Sequence, residues 1–276
     1  MFKLTNYKYF YVNGSSHTMG GGLEELSLRE IGATELYRKR YGVSWQNRSE
    51  VNWATRLSEI TKIPVINESQ CGGSPDRSIR MTYDFIYKNW KDKDNFFIIL
   101  EYPDSSRCDV YYRPLDSYFI VNTHPKQKDT LLYATREYWS IDKKIVDNDR
   151  EYQTFFSEWV KNHFNLEKKI IQDEKEFIGL YSFCKLNGIP VFLMRNNYFL
   201  FNELVDNNDI IPDGPIFDWC IKNKLSIKDE VGIFEDGLID DHPGYFGHIE
   251  YAKRLSMFLG FTNDFPRYPS INKSLL

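Results

Sequence analysis

Residues 62 to 100, KIPVINESQCGGSPDRSIRMTYDFIYKNWKDKDNFFIIL, decide the fold. Residues 62 to 67 form a short run of strand character, and residues 69 to 74 form a glycine-containing loop. A helix is predicted after Pro75, because proline suits a first helical turn. The apolar run 96 to 100 predicts the next strand. Strand, loop, helix and strand in this order form a βαβ unit, which indicates a parallel sheet.

The rest of the chain continues this alternation. Residues 7 to 13 form an aromatic and β-branched run that leads into a turn, which predicts a buried strand. The other predicted elements are helices at about 46–60, 150–163, 166–186 and 244–259 and a strand at 189–194. We therefore expect an α/β fold, a three-layer α/β/α sandwich with a mostly parallel, flavodoxin-like sheet. Such sheets bind ligands beyond the carboxyl ends of their strands.

The length of 276 residues suits one domain, 1–276. Residues 101 to 139 lose helical periodicity and are rich in Tyr, Asp and Pro, which predicts an irregular or β-ribbon insertion above the sheet. Insertions of this kind commonly shape substrate pockets. Aromatic residues make up 16% of the chain, and core packing explains most of that share.

Composition argues against several classes of partner. The 35 Lys and Arg residues are interspersed with 39 Asp and Glu residues, for a formal charge of -4, so nucleic acid and anionic membranes are not expected partners. No stretch approaches the ~20 apolar residues of a membrane span, and the amino terminus lacks signal-peptide character. We therefore expect a soluble protein without a signal peptide, either cytoplasmic or part of a virus particle.

Metal and disulfide chemistry are not expected either. The four cysteines are far apart in sequence and lack zinc-ligand spacing, so we expect reduced, buried thiols: Cys71, Cys108, Cys184 and Cys220. The acidic cluster around Asp240 lacks a second group of ligands. No metal and no cofactor are predicted.

Three segments carry candidate chemistry. Residues 13 to 20, NGSSHTMG, place small residues around a serine hydroxyl in a turn after a strand, without the spacing of a phosphate loop or a G-x-S-x-G elbow. Residues 67 to 74, NESQCGGS, are a loop whose glycine N–H groups could face an oxyanion. Residues 240 to 243, DDHP, hold a histidine beside carboxylates ahead of a helix. Those aspartates could instead simply cap that helix.

Together these segments resemble the sequence blocks of the SGNH (GDSL-like) hydrolase superfamily, in order from Tyr7 to Phe258. The stretch 14 to 20 looks like the G-D-S-L-T-x-G block, which implies that Ser16 is the nucleophile. The loop 67 to 74 looks like the second block, which implies that Gly72 supplies an oxyanion-hole N–H alongside that of Ser16. The DDHP segment resembles the terminal block, which implies that His242 is the base, oriented by Asp240.

The sequence also departs from the family pattern. Ser15 stands where the family has Asp beside the nucleophile. The spacing from Asp240 to the histidine is two residues instead of three, so Asp236 or Asp241 could orient it instead. The third strand ends without the G-x-N-D sequence that supplies an oxyanion-hole Asn, and one such donor is worth ~2.7 to 4 kcal/mol. We expect Arg107, a few residues beyond, to replace that donor or to anchor substrate, unless it is a solvated surface residue.

The other histidines have weaker cases. His17 is adjacent to Ser16 and is an alternative candidate for the base, but successive side chains in a turn usually point apart. His248 is expected to pack or cap within the final helix. His124 and His163 lack a supporting constellation.

The resemblance predicts a serine esterase-type hydrolase that cleaves an acyl ester through an acyl-enzyme, and an O-acetylated carbohydrate is an attractive substrate. One alternative is a non-catalytic binding or structural protein on the same scaffold, for example within a virus particle. A further alternative is an O-acyltransferase, because the same acyl-enzyme serves both reactions.

Overall fold

A computed structural model describes residues 4–20, 23, 33–70, 72–113, 116–122, 131–134, 150–195, 202–212, 214–231 and 241–261. Its strands are β1 (Tyr9–Asn13), β2 (Val65–Asn67), β3 (Phe96–Glu101), β4 (Arg107–Tyr112), β5 (Ser117–Asn122), β6 (Leu131–Ala134) and β7 (Val191–Met194). Its α-helices are α1 (Ser16–Met19), α2 (Ala33–Tyr41), α3 (Trp53–Thr61), α4 (Pro75–Lys88), α5 (Arg150–His163), α6 (Leu166–Leu186), α7 (Ile216–Asn223), α8 (Ile227–Val231) and α9 (Tyr245–Phe258).

Four strands form a parallel sheet in the order β2-β1-β3-β7. The central strand β1 pairs with β2 on one side, where Val12 faces Asn67, and with β3 on the other, where Val12 faces Ile99. The winding of the chain therefore reverses between β1 and β3. In open parallel sheets, the crevice at such a reversal is where ligands bind.

Side chains of this sheet alternate between two cores. Phe10, Val12 and Ile99 face the core that contains α3, α7 and α9. Tyr11 and Ile98 face the opposite core, which contains α4 and α6. Because successive strand residues point to opposite faces, the apolar strands predicted from sequence are buried on both sides. The α/β class and the parallel, three-layer arrangement are confirmed.

Strands β4, β5 and β6 form a second sheet, which is antiparallel. It lies within the segment predicted as an irregular or β-ribbon insertion. Arg80 on α4 contacts it from the body of the protein, since its guanidinium lies 2.8 Å from a carboxylate oxygen of Asp109 on β4 and 4.0 Å from the ring centre of Tyr118 on β5.

Local signals explain where several helices begin. Ser74 accepts a hydrogen bond from the N–H of Arg77 at 3.2 Å and Pro75 follows it, so α4 begins where the sequence predicted. Helix α3 begins at Trp53, later than predicted, because Asn52 caps it by accepting from the N–H of Thr55 at 2.9 Å. Helices α2, α7 and α8 were not predicted.

Candidate active site

The turn after β1 is the first part of the candidate site. Ser15 caps the short helix α1, and its side-chain oxygen accepts a hydrogen bond from the N–H of His17. Ser16 is the first residue of α1 and is 4% exposed. The sequence folds this way because a capping serine and small neighbours let the chain turn directly out of a buried strand.

Glu101, the last residue of β3, holds this turn from the neighbouring strand. One carboxylate oxygen accepts from the N–H of Ser15 at 2.9 Å and from the hydroxyl of Thr18 at 2.5 Å. The other accepts from the hydroxyl of Ser15 at 2.9 Å and lies 3.6 Å from Nδ1 of His17. A single carboxylate therefore contacts three of the residues that surround Ser16.

The contacts of Glu101 also fix its ionisation. Burial by itself raises the pKa of this carboxyl group, but the donors around it outweigh burial and bring the pKa below its usual value of 4.5. Glu101 is therefore a buried anion at neutral pH. Gly14 makes room for it, because a Cβ at position 14 would lie 2.5 Å from a carboxylate oxygen of Glu101.

The loop after β2 lies against the same turn. The N–H of Gln70 donates to the carbonyl oxygen of Gly14 at 3.2 Å. A Cβ at Gly73 would lie 2.8 Å from that same oxygen, so only glycine allows the two backbones to approach so closely. Gly72 is buried and has a positive φ of 74°, a conformation that favours glycine.

His242 lies beside the turn on its other side. Its ring centroid is 5.3 Å from that of His17, and its carbonyl oxygen accepts from the N–H of Ile227 at 2.8 Å. Asp241 pairs with Lys228, with 2.5 Å between Nζ and Oδ1. Asp240, the predicted orienting carboxylate, and its rival Asp236 lie outside the described residues.

Glu230 anchors the helix that follows His242. Helix α9 has glycine at its N-cap and no side-chain cap, and Glu230 accepts from its first N–H groups, those of Phe246 at 3.1 Å and Gly247 at 2.9 Å. Tyr37 donates to the same carboxyl group at 2.5 Å. Burial raises the pKa of Glu230 to about 8 despite these hydrogen bonds.

The remaining histidines take different positions. His248 is fully buried, and its Nδ1 accepts from the N–H of Trp53 at 3.0 Å. Burial is the main cause that lowers the pKa of His248 to about 3. His248 is therefore neutral and structural. His163 is exposed at the end of α5, and His124 lies outside the described residues.

A cavity of about 900 Å³ opens beside the turn. Its polar end is formed by Ser15, His17, Glu101 and Arg107, and its apolar wall includes residues of α6 and Phe217. Arg107 is half-buried at the start of β4, and within the described part of the chain its Nε has no hydrogen-bond partner. Neither Ser16 nor His242 is among the residues that line the cavity.

The structure thus assembles the turn of Ser16, the loop of Gly72 and the segment of His242 at one end of the sheet, with Arg107 on the wall of the adjoining cavity. Sequence reasoning missed Glu101. The available signal was an acidic residue at the end of a strand, Phe96–Glu101, whose other residues are all apolar and buried.

Other chemistry in the described ranges is limited. They contain no group of three or more His, Cys, Asp or Glu side chains placed to hold a metal ion. In the same ranges, no helix is long and apolar enough to cross a membrane. Cys108, Cys184 and Cys220 are buried free thiols, and Cys71 lies outside these ranges.

Comparisons with known proteins add little. No protein-family model matches the chain, and no curated protein sequence matches it significantly. Among solved structures, one from Desulfitobacterium hafniense DCB-2, described as lipolytic and of the G-D-S-L family, is similar over 90% of this chain and 98% of its own. Its identity is 11% and its TM-score 0.31. A likeness at this level assigns neither fold nor activity to the chain.

Proposed function

We propose that the chain is a serine-dependent carboxylic ester hydrolase of the SGNH (GDSL-like) type. The Oγ of Ser16 attacks the ester carbonyl carbon while His242 takes the serine proton and passes it to the departing alkoxide. Water then releases the acid from the acyl-enzyme, and its proton returns through His242 to Ser16. Asp240 is the residue proposed to orient His242.

The backbone N–H groups of Ser16 and Gly72 are the proposed oxyanion donors. Arg107 is the proposed replacement for the side-chain donor that the end of β3 lacks, or an anchor for substrate. Its position on the cavity wall is compatible with either role. We expect Arg107→Ala to lower kcat/KM or raise KM for an ester substrate. Unchanged values of both would remove Arg107 from the site.

One observation carries the proposal: three segments far apart in sequence meet at the carboxyl end of the sheet. The turn at Gly14 contacts the loop at Gly73, and the rings of His17 and His242 are 5.3 Å apart. A serine, a histidine and glycine N–H groups are the parts that acyl transfer requires. Their position at the winding reversal of a parallel sheet supports a ligand site.

The test is covalent labelling with a fluorophosphonate, which reacts with activated serines. Wild-type protein is expected to be labelled at Ser16, and Ser16→Ala and His242→Ala are expected to lose the label and at least about 10³-fold in hydrolysis of short acyl esters. Ser44→Ala, at an exposed serine, is the matched control and is expected to behave as wild type. Labelling that persists in Ser16→Ala would contradict the proposal.

An O-acetylated carbohydrate is the proposed substrate. Acetate release from a panel of acetylated glycans is the measurement, with simple acyl esters in parallel. Hydrolysis of the simple esters without acetate release from any glycan would count against a carbohydrate. Acetate release that falls when a hydroxyl acceptor is added, with the acetyl group recovered on that acceptor, would instead indicate an O-acyltransferase.

A non-catalytic binding or structural protein is the second candidate. Two features favour it: Ser16 is 4% exposed, and it does not line the cavity. On this hypothesis the cavity binds a ligand or a partner segment without chemistry. The fluorophosphonate experiment separates the two candidates, since a non-catalytic protein remains unlabelled in its native state.

A further inference from the structure

His17 is held more firmly than a surface residue of a turn requires. Its Nδ1 lies 3.3 Å from Oγ of Ser15 and 3.6 Å from Oε1 of Glu101. Its ring stacks on Phe217, with centroids 4.5 Å apart and planes inclined by 24°. The side chain is 23% exposed and forms part of the cavity lining. Contacts on both the edge and the face of the ring therefore fix its orientation beside Ser16.

The hydrogen-bond network determines which nitrogen carries the hydrogen when the His17 ring is neutral. The hydroxyl of Ser15 donates its single hydrogen to Glu101, so towards His17 the Ser15 oxygen can only accept. The Glu101 carboxylate also only accepts. Both groups that face Nδ1 are acceptors, so Nδ1 carries the hydrogen and Nε2 presents a lone pair. Among the described residues, no hydrogen bond engages Nε2.

His17 lines the cavity, so the other cavity residues restrict which ligands can reach its ring. Exposed carboxylates lie around the cavity at Asp104, Glu167 and Asp218, which disfavours phosphate, sulfate or carboxylate groups on a ligand. A neutral ligand that offers a hydrogen to Nε2 most simply carries a hydroxyl group. Arg107, on the same cavity, can donate to hydroxyl oxygens.

We infer that His17 is a substrate-contacting residue that accepts a hydrogen bond from a free hydroxyl on the alcohol part of the substrate, and that Glu101 is its positioning residue. The substrate class is then an ester of an uncharged polyol, with a hydroxyl close to the ester group. The inference rests on the proposed function in one respect, that the hydroxyl belongs to an ester. This role differs from that of the alternative base for which the sequence made His17 a candidate.

The kinetic test compares two acetyl esters of similar size, glycerol monoacetate and propyl acetate, which differ in hydroxyl groups. For wild type we expect kcat/KM to favour the hydroxylated ester by about tenfold, the effect of one hydrogen bond to a fixed acceptor. His17→Phe keeps an aromatic ring to stack on Phe217 but removes Nε2, so the ratio is expected to fall to about one. His163→Phe, at an exposed histidine, is the matched control and keeps the wild-type ratio.

Binding of the two esters can also be measured without hydrolysis, which tests the role of His17 separately from the esterase activity. Saturation-transfer NMR of the same two esters with Ser16→Ala is expected to show preferential binding of glycerol monoacetate, and the double variant Ser16→Ala/His17→Phe is expected to lose that preference. Thermal unfolding of each variant confirms that it is folded, and His17→Leu repeats the comparison with a smaller side chain.

The outcomes separate the two proposals. Absence of hydrolysis and of fluorophosphonate labelling refutes the esterase, while a binding preference that depends on His17 still supports the hydroxyl site. Labelling and hydrolysis with the same ester ratio in wild type and His17→Phe overturn the hydroxyl site and leave the esterase standing. Equal binding of the two esters to Ser16→Ala also overturns it.

Discussion

At position 14, glycine is required by a contact and not by backbone conformation. Gly14 is not among the glycines with positive φ, but a Cβ there would lie 2.5 Å from Oε2 and 2.7 Å from Cβ of Glu101. Neither atom can move without disturbing the hydrogen bonds of the turn. The close approach lets the Glu101 carboxylate reach the N–H of Ser15.

Gly14→Ala is therefore expected to destabilise the protein by about 1–3 kcal/mol, the usual cost of overpacking a buried site. Urea unfolding measures the change in the free energy of unfolding. Gly179→Ala is the matched control: a Cβ at Gly179 in α6 meets nothing within 4 Å, and alanine in a helix interior is favoured by about 0.5–1 kcal/mol. A Gly14→Ala protein as stable as wild type would show that the contact is dispensable.

The residues of the site were predictable to different extents. Ser16, Gly72 and His242 are predictions from the sequence, because each lies in a short segment with its own local pattern. Glu101 was missed although it ends an apolar strand, because its role depends on which strand lies next to β1, and the sequence does not show that pairing. The stacking of His17 on Phe217 could not be predicted for the same reason, since these residues are 200 positions apart and only the fold brings them together.

Among the helices, α9 begins with N–H groups that donate to a carboxyl group from another part of the chain. Its N-cap is Gly244, which has no side chain to satisfy the first N–H groups, and Glu230 accepts from two of them. The same geometry excludes a larger residue, because a Cβ at Gly244 would lie 2.3 Å from the carboxyl carbon of Glu230. This helix follows directly on the segment that carries His242.

Glu230 is expected to make stability depend on pH. Its pKa is raised from the usual 4.5 to about 8 by burial, so the folded protein holds a proton that the unfolded chain has lost. The contribution to the free energy of unfolding is full below about pH 4.5 and is lost as the pH rises through about 8. Glu230→Gln mimics the protonated form, so its stability should decline less over this range than that of wild type.

Urea unfolding at several pH values across this range tests the expectation. Glu203→Gln, at an exposed carboxylate, is the control and should follow wild type. If the free energy of unfolding changes with pH in the same way in wild type and in Glu230→Gln, the pKa of Glu230 is not raised. The comparison of variant with wild type is needed because burial also raises the pKa of Asp173, to about 7, which acts in the same direction.

Most long elements were predictable and the short ones were not. Helices α4, α5, α6 and α9 are long enough to repeat an apolar pattern, and strand β3 is a continuous apolar run. The predicted bounds of α5, α6, α9 and β3 agree with the structure to within a residue. Helices α7 and α8 span eight and five residues, too few to repeat a pattern, and their stability comes from contacts with α9 and the turn before it.

At the scale of the whole molecule, the antiparallel sheet is tied to the α/β body by buried charge. Asp109 on β4 has a side chain only 2% exposed, and Arg80 on α4 donates to it from Nε at 3.0 Å and Nη2 at 2.8 Å. The N–H of Asp109 also donates to Asp76, which pairs with Lys169 of α6 at 2.9 Å. One wall of the cavity, from Arg107 to α6, therefore depends on this connection.

Replacing only Arg80 of the Arg80–Asp109 pair should lower the free energy of unfolding more than replacing both residues. Arg80→Met leaves the Asp109 carboxylate buried without its cation and is expected to destabilise the protein by about 2–3 kcal/mol. Adding Asp109→Asn should recover part of that loss, because position 109 then carries no charge. Arg38→Met, which breaks an exposed pair with Glu35, is the control and should change stability by less than ~1 kcal/mol.

Hydrogen exchange distinguishes loosening of the antiparallel sheet from destabilisation of the whole protein. If Arg80 ties that sheet to the body, amides of β4 and β5 exchange faster in Arg80→Met while amides of β1 and β3 keep their wild-type protection, since the parallel sheet does not contain this contact. Equal acceleration in both sheets would mean that the molecule opens as one cooperative unit and that the ion pair stabilises it only globally.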